Sequence, residues 1–228
     1  AQAKATHPFV RSRLENLTAR ATFDLRNSDT DILSLPQSYD RVRSLRANAA
    51  SLDGYGRLVD DFAAAAVTIV TWPQPGWRPV VAGTGNEGGI VQDMFEMTRR
   101  GEVQYAVNHA VDRSYVTGWF ADPATASETR APADVSRLYT HEANYHPDGG
   151  QVFVPRTKQP FVALLAKPGD DVTPDDFVAF WFDGTQGIHI DPGVWHQPLF
   201  PAGPSLVFDD KQGRVHACIA IDFVREFG

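Results

Sequence analysis

From Ser51 onward the apolar residues fall in short runs separated by turn formers, and no long helical period follows Ala66. The runs cover residues 67–72, 103–108, 115–120, 151–155, 161–167, 177–182, 187–190, 206–209 and 216–223, and most of the 18 glycines and 16 prolines lie between them. Strand after strand, each closed by a tight turn, is the pattern of a sandwich or barrel. A chain of 228 residues holds such a unit as one domain. The glycine-rich stretch at 83–89 is followed by no helix carrying Lys-Ser/Thr, so it reads as a hairpin or pocket flap and not as a phosphate loop.

Residues 1–46 differ in kind. They are polar and rich in arginine (Arg11, Arg13, Arg20, Arg26, Arg41, Arg43, Arg46). The expectation is an N-terminal arm ahead of a domain at 47–228, with short strands at 23–25 and 32–35 broken at Pro36, a short helix over 39–50, and a packing or dimer-clasp role. The net charge of −7 has the wrong sign for wrapping a phosphate backbone, so nucleic acid is not expected as a partner. The apolar runs reach about a third of the roughly 20 residues a membrane-spanning helix needs, so no membrane partner is expected either. Cys218 is the single cysteine; it allows no intramolecular disulfide and reads as a small buried apolar residue. The cytoplasm is the expected compartment, with export after removal of a leader left open because the sequence starts at Ala1 without Met.

Two clusters stand apart from the other histidines. The first runs His141-Glu142-Ala143-Asn144-Tyr145-His146-Pro147-Asp148-Gly149-Gly150-Gln151, the second Gly187-Ile188-His189-Ile190-Asp191-Pro192-Gly193-Val194-Trp195-His196. In extended chain Asn144 and His146 share one face, and the turn at 148–150 lets Gln151 rejoin it one strand later. The turn at Asp191-Pro192-Gly193 delivers His196 at the start of a strand. Imidazoles from His146 and His196, with amides from Gln151 and Asn144, suit a borderline divalent ion such as Ni²⁺, Mn²⁺, Zn²⁺ or Fe²⁺, weakly because no carboxylate joins them. Trp195 reads as a pocket wall.

The clusters resemble the two motifs of the cupin barrel, with Asn144 standing for the first histidine and Gln151 for the glutamate. That departure is typical of the ureidoglycolate lyase family. Its stretch His-Glu-x-x-x-His-Pro-x-Gly-x-Gln-x-Phe-x-Pro resembles residues 141–155, and Val-Trp-His-x-Pro-Leu-Phe resembles residues 194–200. Gly169-Asp170-Asp171, Gln186-Gly187, Leu206-Val207-Phe208-Asp209 and, upstream, residues 52–59 extend the resemblance over roughly 50–225. It implies an all-β, cupin-like antiparallel barrel (a double-stranded β-helix) with few short helices. It departs at Asn144, where family members often carry an acidic residue, and at Asp210, where Asp209-Asp210 stands for Asp-Arg.

What the resemblance implies chemically is a lyase cleaving (S)-ureidoglycolate, a small anion, to glyoxylate and urea in purine and allantoin nitrogen use. A metal on His146, Gln151, His196 and Asn144 would bind the substrate; an alternative has no metal, with His146 and His196 acting directly. Proton transfer would fall to His141, Glu142 or His189, in that order. Substrate contacts would come from Trp195 and Asp209, with Arg156, Lys158 or Lys211 supplying the positive charge that Asp210 does not. A homodimer fits the exposed edges of such a barrel. The competing readings are another metal-dependent cupin lyase, isomerase or hydrolase for a small hydroxy or oxo acid, and a non-catalytic cupin that binds a small ligand.

Overall fold

A computed structural model describes residues 40–69, 87–147 and 149–216. The runs expected at 23–25, 32–35 and beyond 216, most of 67–72, the start of 83–89 and Cys218 lie outside the described residues. Among those described, twelve strands form: β1 (Arg43–Arg46), β2 (Gly56–Val59), β3 (Glu87–Arg100), β4 (Val103–Asn108), β5 (Arg113–Trp119), β6 (Gln151–Pro155), β7 (Phe161–Ala166), β8 (Val178–Phe182), β9 (Gly187–Ile190), β10 (Trp195–His196), β11 (Phe200–Pro201) and β12 (Ser205–His216). The only helical pieces there are 3₁₀ turns at His109–Val111 and Pro174–Asp176. No helix among them is long and apolar enough to cross a membrane.

The fold is all-β and cupin-like, organised as two sheets. One has the order β1-β8-β7-β10, with β11 also on β7; the other runs β2-β9-β6-β12-β3-β4-β5. This corrects the expectation of a closed barrel: the described strands leave two separate sheets, and β1 pairs β8 in parallel. It also corrects the helix expected over 39–50. Arg43–Arg46 forms a strand there because β8 offers it a ladder and its Leu45 packs against the core, and that tertiary pairing outweighs local propensity.

Alternation fixes which faces meet. Phe161, Ala163 and Leu165 of β7, Val178, Phe180 and Phe182 of β8, Phe153 of β6, Ile188 and Ile190 of β9, Phe95 and Met97 of β3, and Leu206 and Phe208 of β12 form one buried core. Phe161 stacks on Phe182 with centroids 4.6 Å apart and meets Phe208 edge-on at 5.1 Å, and Phe95 meets Phe153 edge-on at 5.2 Å. Each buried phenyl contributes about 1.5–3 kcal/mol from burial, so this aromatic cluster holds the two sheets face to face. It also decides direction: any side chain in register with these residues points between the sheets, and its chain neighbours point out.

Candidate active site

His196 pairs with Leu165 across β10 and β7, so its imidazole shares the inner face. Asn144 pairs with His196 through two backbone bonds, Asn144 N–H to the His196 carbonyl at 2.8 Å and the reverse at 2.7 Å. Asn144, His146 and His196 therefore share one side, and the His146 and His196 rings stack with centroids 5.1 Å apart. The turn expected at 191–193 sets this up. Gly193 has φ +79°, a left-handed conformation that glycine adopts without a Cβ penalty; its N–H donates to the His146 carbonyl at 2.9 Å, and Val194 N–H closes the turn on the Asp191 carbonyl at 3.2 Å.

His196 is buried, and its Nδ1–H donates to the Val194 carbonyl at 2.8 Å. Burial, followed by the charge of neighbouring His146, pushes the imidazole down to about 3, against the opposing pull of the Val194 carbonyl. The ring is thus neutral at physiological pH with its proton on Nδ1, which leaves the Nε2 lone pair for a hydrogen bond or a metal. Among the described residues no group of three or more His, Cys, Asp or Glu side chains is placed to hold a metal ion. Two imidazole nitrogens supplemented by amide oxygens still suit a borderline divalent ion by donor chemistry, and the Nδ1-anchored His196 has the tautomer such a ligand requires.

Gln151 faces inward from the other sheet. It pairs with Ile190 and with Gln212, and its Nε2–H donates to Asp210 Oδ1 at 2.8 Å. Asp210 is fully buried, and burial pushes its carboxyl up to about 7 while the Gln151 N–H pulls the other way. Reading the sequence marks Asp210 only as a departure from the family's Asp-Arg and gives neither Asp210 nor Gln212 a role in the site. A signal was present: Phe208 is a core position, so Asp210 and Gln212, two and four residues on, fall on the same inward face.

Several expected participants lie elsewhere. His189 alternates with the core residues Ile188 and Ile190, so it points away from Gln151, contrary to its expected role in proton transfer. Its Nδ1 stands 3.0 Å from Asp191 Oδ1 and 3.1 Å from Arg57 Nη1, and Thr68 N–H reaches Nε2 at 3.3 Å. A Cβ at Gly150 would stand only 2.6 Å from its Cε1, which is why that position is a glycine. Burial, then the Arg57 charge, lowers its pKa although Asp191 opposes them, so it serves as a neutral clasp tying residues 66–69 to β2 and β9.

Trp195 is likewise on the outer side, in register with Ala166, packed on Tyr145 at 4.5 Å and donating Nε1–H to the Gly169 carbonyl at 3.0 Å. Arg156 and Asp209 bind each other at 2.6 and 2.8 Å on the outer face of β12. Lys211, also outward, donates to the Phe62 carbonyl and covers the Phe62 ring at 4.5 Å. Lys158 is exposed in the turn after β6. Arg156 and Lys211 are thus engaged away from the inner face; Lys211 is directed there because it lies an odd number of residues from the core residue Phe208. His141 is more exposed, stacked on Trp119 at 5.0 Å with Glu142 Oε1 3.8 Å away. The Glu142 carbonyl accepts from the buried Gln197 amide next to His196, which keeps this pair near the histidine end.

Comparison with known proteins bears on these residues directly. The family model for ureidoglycolate lyase matches residues 105–218, half of the chain. The chain belongs to the ureidoglycolate lyase family. Among curated relatives, the ureidoglycolate lyase of Azotobacter vinelandii is 39% identical over 66 residues, covering 29% of this chain and 37% of that protein. The ureidoglycolate lyases of Salmonella paratyphi B and Salmonella newport are each 35% identical over 79 residues, covering 35% of this chain and 49% of theirs. The matches thus span less than half the length of these relatives. His146, Gln151, His196, Asp210 and Gln212 all fall inside the segment that carries the ureidoglycolate lyase family match, whereas β1, β2 and β3 precede it.

Proposed function

We propose that the chain is a ureidoglycolate lyase, cleaving (S)-ureidoglycolate to glyoxylate and urea in the use of purine nitrogen. The observation that carries this reading is the stacked His146–His196 pair on the inner face, inside the segment matched by the family.

The reaction is the collapse of a carbinolamide. The 2-hydroxyl loses its proton, a C=O bond forms there as the C–N bond breaks, and the departing nitrogen takes a proton to become urea. Proton uptake and delivery cancel, so one titratable group at the hinge of the reaction suffices. His146, less buried than His196, takes the hydroxyl proton and passes it to the urea nitrogen. His196, held neutral, accepts a hydrogen bond at Nε2 and fixes the substrate against the His146 ring. No nucleophile is required. His146 and His196, with amide oxygens of Asn144 and Gln151, would also hold a divalent ion, which when bound would supply Lewis-acid polarisation of the hydroxyl and lower its pKa.

The His141–Glu142 pair is a second candidate for the proton, favoured by its exposure and by the Gln197 bond that holds it near His196. His146→Gln and His141→Gln separate the two, because only the variant lacking the proton carrier loses the reaction. The test of the function itself is release of urea and glyoxylate in equal amounts from (S)-ureidoglycolate, with protein as purified, after chelation, and after adding back Ni²⁺, Mn²⁺ or Zn²⁺. No urea under any of these conditions refutes the reading.

A further inference from the structure

Three buried side-chain oxygens among the described residues have no hydrogen-bond donor: Gln104 Oε1, Asp210 Oδ2 and Gln212 Oε1. Gln104 is isolated, and its amide nitrogen is spent on the Thr98 and Tyr105 carbonyls of its own hairpin. The other two are neighbours. They lie two residues apart on β12, so they leave the same face of the strand with backbones about 7 Å apart. That face is the inner one, since Phe208 precedes them in the core.

Their surroundings narrow what such a pair can serve. Gln212 stands opposite Gln151, and Asp210 opposite Phe153 on one side and Asp93 on the other. The Gln151 amide holds Asp210 by Oδ1, which leaves Oδ2 as the atom without a donor. Lys211 of this strand and the Arg156 that pairs with Asp209 project from the opposite face. The patch therefore offers two buried acceptors that no donor reaches. A group rich in N–H donors is what satisfies it, since a buried acceptor without a partner is among the costlier features a fold can carry.

We infer that Asp210 and Gln212 form the subsite for the N–H donors of the substrate's carbamoyl group, with Gln151 as a positioning residue that holds Asp210. This rests on the reading of the site as one for a ureido acid, and it orients that substrate with its urea end on the seven-stranded sheet and its hydroxyl and carboxylate toward the histidines.

The test uses two probes on the full chain by titration calorimetry: N-carbamoylglycine, which has the ureido group and no 2-hydroxyl, and glycolate, which has the hydroxyl and no ureido group. Asp210→Asn replaces the unpaired acceptor by a donor with little change of shape. It should weaken N-carbamoylglycine at least tenfold and leave glycolate within twofold, at a melting temperature no lower than that of the unsubstituted chain. Gln212→Met, a second variant that removes an acceptor without adding a donor, should weaken N-carbamoylglycine several-fold with the same selectivity. Equal loss of both probes, no loss of either, or no binding of N-carbamoylglycine by the unsubstituted chain overturns the inference. Failure of the catalytic reading looks different. N-carbamoylglycine binding that depends on Asp210 without any urea release keeps the subsite and removes the activity; urea release with an unchanged KM in Asp210→Asn does the reverse.

Discussion

His196 on the five-stranded sheet and Asp210 on the seven-stranded sheet answer the same burial in opposite directions. Desolvation disfavours whichever form carries charge, so it pushes the His196 imidazole down to about 3 and the Asp210 carboxyl up to about 7. Both shifts run toward neutrality, and with its pKa near 7 the Asp210 carboxyl is substantially ionised at neutral pH, where Oδ2 is an acceptor. The difference lies in satisfaction. His196 has its Nδ1–H committed to the Val194 carbonyl, whereas Asp210 Oδ2 and Gln212 Oε1 have no donor at all. One wall is a finished piece of structure with a lone pair to offer; the other is finished only when something donates to it.

The largest effect that sharpens this contrast is catalytic. His146→Gln should lower kcat for urea release by roughly 10²- to 10⁴-fold, the range for removing a general acid–base group, with the fold retained by circular dichroism. A residual activity within a few-fold of the unsubstituted chain would move the proton to His141.

Acid stability comes next. The His196 pKa is depressed in the folded state relative to an ordinary 6.5, so its contribution is fully present above about 6.5 and is lost as pH falls toward 3. In chelator-treated protein, denaturant unfolding from pH 7 down to pH 4 should show a steady loss of stability that His196→Gln flattens.

Asp210 behaves as the mirror image. Its pKa is raised above an ordinary 3.8, so its contribution is present below that value and lost as pH rises to about 7. The cost above pH 7 is on the order of 4 kcal/mol at about 1.4 kcal/mol per pH unit. Asp210→Asn should match the unsubstituted chain in melting temperature at pH 4 and exceed it by several degrees at pH 8. Equal curves at both pH values would mean that the carboxyl is solvated in solution.

Much of this was legible in the sequence. The strands at Val103–Asn108, Gln151–Pro155 and Gly187–Ile190 have the bounds their apolar runs and turn residues indicate, and Asn144, His146 and His196 share a face as extended-chain alternation requires. Other parts were not. The 14-residue β3 carries Asp93, Glu96, Arg99 and Arg100 within its span, so its polar positions mask a strand that long pairing with β12 enforces. β1 exists only because β8 accepts it. His189 was drawn into the site by motif, although its apolar neighbours Ile188 and Ile190 already place it outward; Asp210 was read only as a missing arginine, although its register with Phe208 places it inward. In both cases the side-chain period of two was the better guide.

The smallest expected effects lie on the outer face. Arg156→Ala should cost no more than about 1 kcal/mol, since the pair with Asp209 is solvent-exposed, and it should leave KM for ureidoglycolate unchanged within twofold. A tenfold rise in KM would bring Arg156 back as a substrate contact and weaken the assignment of recognition to the inner faces.

The most direct measurement is the urea and glyoxylate release assay on (S)-ureidoglycolate, run side by side on the unsubstituted chain, His146→Gln and Asp210→Asn. The expected result is turnover by the unsubstituted chain, a collapse of kcat in His146→Gln, and a rise of KM in Asp210→Asn with a smaller change in kcat. Turnover that survives both substitutions unchanged would contradict the assignment of chemistry to one wall and recognition to the other.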